Sequence, residues 1–120
     1  MRQWYKRHMG YSVIHVSDVP PSAAGHPASS PWDRRLNAAL GVEAFGLYHV
    51  DLPAGAETVP HDHRTDGVED AYVLVRGSGW LVVDGTAVEL VPGSAAAVTP
   101  EATRSIRAAG DGCAFIAVCA

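Results

Sequence analysis

Cysteine is scarce in this chain: Cys113 and Cys119 are the only two among 120 residues. Both fall in the last apolar run. On a strand they would share a face but lie too far apart along it to bridge. A disulfide-stapled fold is therefore excluded. The thiols read as small buried hydrophobes, with Cys113 a weaker ligand candidate. Charge is sparse as well, at 18% charged residues and a net charge of -4. No basic stripe runs along the chain, which argues against nucleic acid as a partner. No apolar run has the length of a membrane span, so no membrane partner is expected. The start, Met1-Arg2-Gln3-Trp4-Tyr5-Lys6-Arg7-His8, is basic, but no apolar stretch follows before Ser17-Asp18. It lacks the pattern of a secretory signal, and a cytoplasmic location is the expectation.

What the chain does have is core. Hydrophobic residues make up 48% of it. A chain of this length is expected to form one domain and to bury roughly two thirds of its unfolded surface.

Residues 1–41 read as an N-terminal arm, a Pro-rich loop and a short helix. Tyr11-Ser12-Val13-Ile14-His15-Val16 has the pattern of a short strand. Ser17 to Ser30 carries Pro20, Pro21 and Pro27 and reads as an extended loop. A helix is expected next, with Ser30 as N-cap, Pro31 at its first position and Asp33 in its first turn. Trp32, Leu36, Ala39 and Leu40 form its apolar stripe, and Gly41 closes it.

Residues 42–120 read as all-β. Expected strands run over Ala44 to Leu52, Glu57 to His63, Ala71 to Val75, Trp80 to Val83, Thr86 to Val91, Ala95 to Thr99, Thr103 to Ala108 and Cys113 to Val118. The turns between them are Pro53-Ala54-Gly55, Asp66-Gly67, Gly77-Ser78-Gly79, Asp84-Gly85, Pro92-Gly93 and Gly110-Asp111-Gly112. Short strands with a turn every ~8–12 residues predict a sandwich or barrel.

The chemistry concentrates at His61-Asp62-His63. Two histidines at i and i+2 on a strand face the same side and can share a metal ion, given a carboxylate from a neighbouring strand. Glu69-Asp70 follows the Asp66-Gly67 turn and supplies one. Strand parity puts Asp70, Tyr72, Leu74 and Arg76 on one face and Glu69, Ala71, Val73 and Val75 on the other. Hydrophobicity alone turns the second face inward.

These residues resemble the cupin superfamily. Its first motif, G-x5-H-x-H-x3,4-E-x6-G, is matched by Gly55-AETVP-His61-Asp62-His63-RTDGVE-Asp70-AYVLVR-Gly77. Its second, G-x5-P-x-G-x2-H-x3-N, is matched by Gly93-SAAAV-Thr99-Pro100-Glu101-AT-Arg104. The resemblance implies a cupin-type antiparallel β-barrel, a double-stranded β-helix or jelly roll, over residues 42–120. It also implies a metal held by histidines and one acid. The match departs from the family in three ways. The spacing to the acid is longer, the family's glutamate falls on Asp70, and Arg104 stands at the last histidine position. Family alignment turns Asp70 inward; Glu69 has the longer reach, and both remain candidate ligands with His61 and His63.

A face of two histidines and one carboxylate suits a divalent ion such as Fe(II). Among Fe, Mn, Ni, Zn and Cu, iron or zinc is the expected ion. Such an ion can polarise a carbonyl or activate water or dioxygen. The implied function is a metal-dependent enzyme acting on a small carbonyl- or carboxylate-bearing metabolite, of oxygenase, lyase, isomerase or cyclase type. The Ala/Gly/Val-rich composition resembles that of high-GC bacteria, where small cupins accompany secondary metabolism.

Arg104 is a poor metal ligand because it stays protonated. In the barrel mouth it would anchor a substrate carboxylate or enolate. Alternatively it pairs with Asp70 or Glu69 where the metal would sit. A metal-free module binding small anions through Arg104 is the competing function. Tyr72 is a candidate proton donor on the pocket wall, or else a packed barrel tyrosine. His49 is a candidate replacement ligand, or else a hydrogen-bonded strand histidine. Small cupins resemble homodimers that exchange N-terminal strands, and Trp4-Tyr5 and Val13-Ile14 fit that exchange.

Overall fold

The structure is a computed structural model and describes residues 10–22 and 31–120. Its strands are β1 (Asp33–Arg35), β2 (Gly46–Leu52), β3 (Asp70–Val83), β4 (Thr86–Leu90), β5 (Ala95–Val98) and β6 (Arg104–Cys119). A 3-10 turn spans Val16–Asp18, and one helical turn, α1, spans Asn37–Leu40. All strand pairings are antiparallel, in the order β1-β2-β6-β3-β4, with β5 also on β3.

Two long strands organise the barrel. The Gly77-Ser78-Gly79 and Gly110-Asp111-Gly112 segments were expected to be turns between separate strands. They lie instead within the continuous β3 and β6. The ladder between these strands shifts register at Leu74/Arg76 and again at Gly77/Gly79. Such bulges bend a strand without ending it. Gly77 has φ +73°, and a Cβ there would run into the Gly112 carbonyl; one at Gly79 would meet the Arg107 carbonyl. Glycine lets the two backbones close on each other at the bend. The Asp84-Gly85 hairpin does form, with φ +48° and +84°, as a two-residue turn with both residues left-handed requires.

Alternation along β3 buries Asp70, Tyr72 and Leu74 and exposes Ala71, Val73 and Val75. Tyr72 and Leu74 join Val50, Leu52, Leu81, Ile106 and Phe115 in the barrel core. The more uniformly apolar face therefore points outward, opposite to what hydrophobicity alone suggests.

The N-terminal half departs most from expectation. The helix from Pro31 shrinks to α1. Trp32 packs on the barrel core, whereas Leu36 and Ala39 pack with Val19, so the supposed stripe is divided between two clusters. β1 instead closes the edge of β2, pairing Arg34 with His49 and Arg35 with Tyr48. An open strand edge offers backbone partners that a short helix cannot match. The buried Asn37 side chain then ties α1 to the next loop, donating to the Val42 and Phe45 carbonyls and accepting from the Leu47 N–H. Gly41, at φ +74°, ends the turn as expected. Residues 11–15 form no strand, and Tyr11 and Val13 are exposed. Trp4-Tyr5 and the Ser30 cap lie outside the described residues.

Candidate metal centre

The strand expected over Glu57 to His63 does not form; His61 and His63 lie on a segment held by isolated bridges. Glu57 pairs with Arg107 and His61 with Arg104. The His61 N–H donates to the Arg104 carbonyl at 3.1 Å and the Arg104 N–H donates back at 2.8 Å. The His63 N–H donates to the Pro100 carbonyl at 2.9 Å. This extended backbone keeps both imidazoles on one side. The segment 64–69 is a loop rather than a tight hairpin. Its turn is closed by the Gly67 N–H on the His63 carbonyl, 2.8 Å, with Gly67 at φ +70°. The chain thus returns to Asp70 at the head of β3.

There the three groups meet. His61, His63 and Asp70 each offer a ligand atom, all within 4.8 Å of one another. Oδ2 of Asp70 lies 3.3 Å from His63 Nε2 and 3.7 Å from His61 Nε2. Oδ1 of the same carboxylate is buried without a hydrogen-bond partner. Both Nδ1 atoms are engaged elsewhere. His61 Nδ1 is 3.0 Å from the Val59 carbonyl, and His63 Nδ1 is 3.2 Å from both oxygens of Asp66. A carbonyl only accepts, so His61 Nδ1 carries the proton. The ionised Asp66 imposes the same on His63, and the Val68 N–H, with His63, holds that carboxyl below its usual range. With Nδ1 of each ring committed to an outer partner, Nε2 is the atom left to face Asp70 and the one that would ligate a metal in place of a proton. The donor set, its tautomers and the orphaned oxygen fit a divalent cation.

Glu69 is exposed, since strand parity turns it away from Asp70. Its backbone pairs with Ala120, and it does not join the converging groups. His49 points to the face of β2 opposite Tyr48 and Val50 and is not part of the cluster.

Arg104 requires a correction. Its side chain is fully buried and is not on the cavity wall, so it is no anchor at the barrel mouth. The guanidinium donates to the Thr99 carbonyl at 2.5 Å and the Val98 carbonyl at 3.4 Å, and Nη1 lies 3.5 Å from Asp70 Oδ2. The pairing with Asp70, weighed above as the alternative, is the one found. It places a permanent cation behind the cluster.

Tyr72 donates to Asp70 Oδ2 at 3.1 Å. Burial, and then the Asp70 charge, push its phenol well above the usual range. Burial pushes Asp70 up, but bonds from His61 and Cys119, with His63 and Tyr72, outweigh it and hold the carboxyl at about 2. His61 is raised, chiefly by its bond to Asp70. Without metal, then, proton and imidazole share the carboxylate that a metal would take. Cys119, a small apolar residue by its sequence context, also reaches this carboxylate. It pairs across from Asp70 in the β3–β6 ladder and is pushed up to about 12, first by burial and then by Asp70. Its signal was the pairing register, which only the assembled sheet provides.

The cluster opens on a cavity of about 280 Å³ walled by Val50, Tyr72, Phe115 and Ala117.

No protein-family model and no curated protein matches the chain. Solved structures do. A cupin protein from Bacteroides fragilis is 25% identical, with TM-score 0.66 over 82% of this chain and 80% of that one. A Cupin 2 conserved barrel domain protein from Salinispora arenicola is 16% identical, with TM-score 0.63 over 80% and 81%. A sugar phosphate isomerase of the cupin superfamily from Silicibacter pomeroyi is 23% identical, with TM-score 0.65 over 72% and 57%. The chain has the fold of these cupins, an antiparallel barrel, and carries in it a cluster of two histidines and one aspartate. No helix among the described residues is long and apolar enough to cross a membrane.

Proposed function

We propose that this cupin is a metal-dependent enzyme acting on a small carbonyl- or carboxylate-bearing metabolite. The observation that carries the reading is the convergence of His61 Nε2, His63 Nε2 and Asp70, with both Nδ1 atoms committed to other acceptors. A divalent ion held there would supply Lewis-acid polarisation of a substrate oxygen. The chain's own residues do the rest. Asp66 fixes the His63 ring and its tautomer. Tyr72 keeps its proton and donates a hydrogen bond to Asp70 Oδ2, which holds the carboxylate in place beside the cavity. Phe115, Val50 and Ala117 exclude water around the substrate. The reaction type, whether oxygenase, lyase, isomerase or cyclase, follows from the substrate and not from the fold. The sugar phosphate isomerase neighbour supports an enzymatic reading as an analogy of fold.

A second reading is favoured by one contact. Arg104 already neutralises Asp70 at 3.5 Å, as a metal-free binding barrel would need. The two readings separate by metal content. Protein purified without a metal-affinity column should contain zinc or iron, and His61→Ala should lose it. Metal-free wild type that also fails to load added Zn2+ would refute the metal reading and leave the binding module.

A further inference from the structure

We infer that Arg35, on the short strand β1, holds the carboxylate of the substrate. The inference rests on the proposed metal-dependent reading for the chemistry, but on separate residues for recognition. Among the described residues, Arg35 is the only arginine or lysine lining the cavity onto which His61, His63 and Asp70 open. Arg104, the cation expected in that role, is sealed beneath the cluster.

The sheet register places Arg35 opposite the cluster. Arg35 pairs with Tyr48, Tyr48 with Ala117, and Ala117 with Tyr72. These four residues form one row facing the cavity across β1, β2, β6 and β3, with Arg35 at its exposed end. The next row holds Gly46, Cys119 and Asp70. Three strand spacings separate β1 from β3, roughly 14 Å along the sheet. The guanidinium and the metal ligands thus stand on facing parts of one curved wall, with the cavity between them. Its volume of about 280 Å³ is at the small end for ligand sites, which selects a small metabolite.

The guanidinium is oriented but not consumed. Its carbon lies 5.8 Å from the Tyr48 ring centroid, and its Nε donates to Asn37 Oδ1 at 3.4 Å. Among the described residues, no acid is within ion-pair distance of its two terminal nitrogens. Those nitrogens form the flat two-donor edge that matches a carboxylate. Asp33 lines the same cavity, but its row, with Val50 and Phe115, lies on the far side of Arg35 from Asp70. A carboxylate on Arg35 would therefore leave the substrate's other end directed toward the histidines. β1 is the strand that the sequence presented as a helix, and its formation is what brings Arg35 to the cavity.

The test is a binding titration, by calorimetry, of acetate, pyruvate, malonate and succinate, with methyl pyruvate as neutral control and inorganic phosphate as a competing anion. It is run in EDTA and repeated on the Zn2+-loaded protein. In EDTA the wild type should bind at least one carboxylate in preference to the neutral ester. Arg35→Ala should weaken that binding about tenfold to a hundredfold, the loss expected for a charge-assisted bond. Arg35→Lys should recover part of it. Equal binding by wild type and Arg35→Ala, or no preference over the ester, would overturn the inference. Arg35-dependent preference for phosphate would overturn the carboxylate assignment. Zinc content, measured on the same samples, should be unchanged in Arg35→Ala. Loss of metal loading in wild type with Arg35-dependent binding intact would refute the metal reading alone.

Discussion

Replacing Arg104 by methionine separates the two roles that Asp70 can play. In the metal-free protein the guanidinium is the permanent cation nearest the buried Asp70 carboxylate, at 3.5 Å. At that distance the pair attracts by about 5 kcal/mol for an effective dielectric of 20. Desolvation of both groups offsets much of this in the intact pair. Removing one partner is different, because it strands the other charge in the interior, at a cost of about 3–5 kcal/mol. The bonds to Thr99 and Val98 are lost as well. A domain stable by ~5–15 kcal/mol should still fold. Urea unfolding in EDTA should therefore show Arg104→Met less stable than wild type by about 3–5 kcal/mol. Zn2+ should restore more stability to the variant than it adds to the wild type, because the ion replaces the missing cation. At a hundredfold excess over its dissociation constant it would restore about 2.7 kcal/mol. Equal stability of the two proteins in EDTA would refute the idea that Arg104 neutralises Asp70. Weaker rescue of the variant than of the wild type would refute the competition between guanidinium and metal.

Other outcomes follow from the fold. Gly77→Ala should destabilise by about 3 kcal/mol or more, since its Cβ would meet the Gly112 carbonyl at a positive φ. Gly85→Ala, at φ +84° with nothing within 4 Å, should cost only about 1–2 kcal/mol; equal losses in urea unfolding would contradict the close approach at Gly77. We propose a homodimer, as the resemblance to small cupins implies, and the exposed Val73 and Val75 on the outer face of β3 are apolar surface that a second copy would cover. Light scattering should return twice the 12.6 kDa chain mass, and a monomer at micromolar concentration would count against it.

The barrel was legible in the sequence wherever local rules govern. Asp84-Gly85 demands a two-residue hairpin, and the alternation from Asp70 to Leu74 needs only one face to be inward. Where the chain answers to distant partners, local reading failed. β1 exists because β2 has an open edge, and nothing in Trp32-Asp33-Arg34-Arg35 announces that. Gly77 and Gly112 looked like turns because a glycine needed for close backbone approach carries the same letter as one needed for a bend. The histidine pair could be found from spacing, whereas Asp70 is set apart from Glu69 only by the resemblance to the cupin motif. Cys119 and the burial of Arg104 could not be found in either way, since both depend on the β3–β6 register and on what lies behind the cluster. Arg35 was hidden for the same reason as β1.

The central claim is that His61 and His63 bind metal through Nε2 while Nδ1 keeps its proton. Long-range 1H–15N correlation spectra of the histidine rings test it directly, recorded at mildly alkaline pH before and after an equimolar addition of Zn2+. Two imidazoles, lost from the spectrum in His61→Ala and His63→Ala respectively, should be Nδ1–H tautomers whose Nε2 resonances move on adding zinc. Movement at Nδ1, or zinc shifts confined to the other histidines, would contradict it.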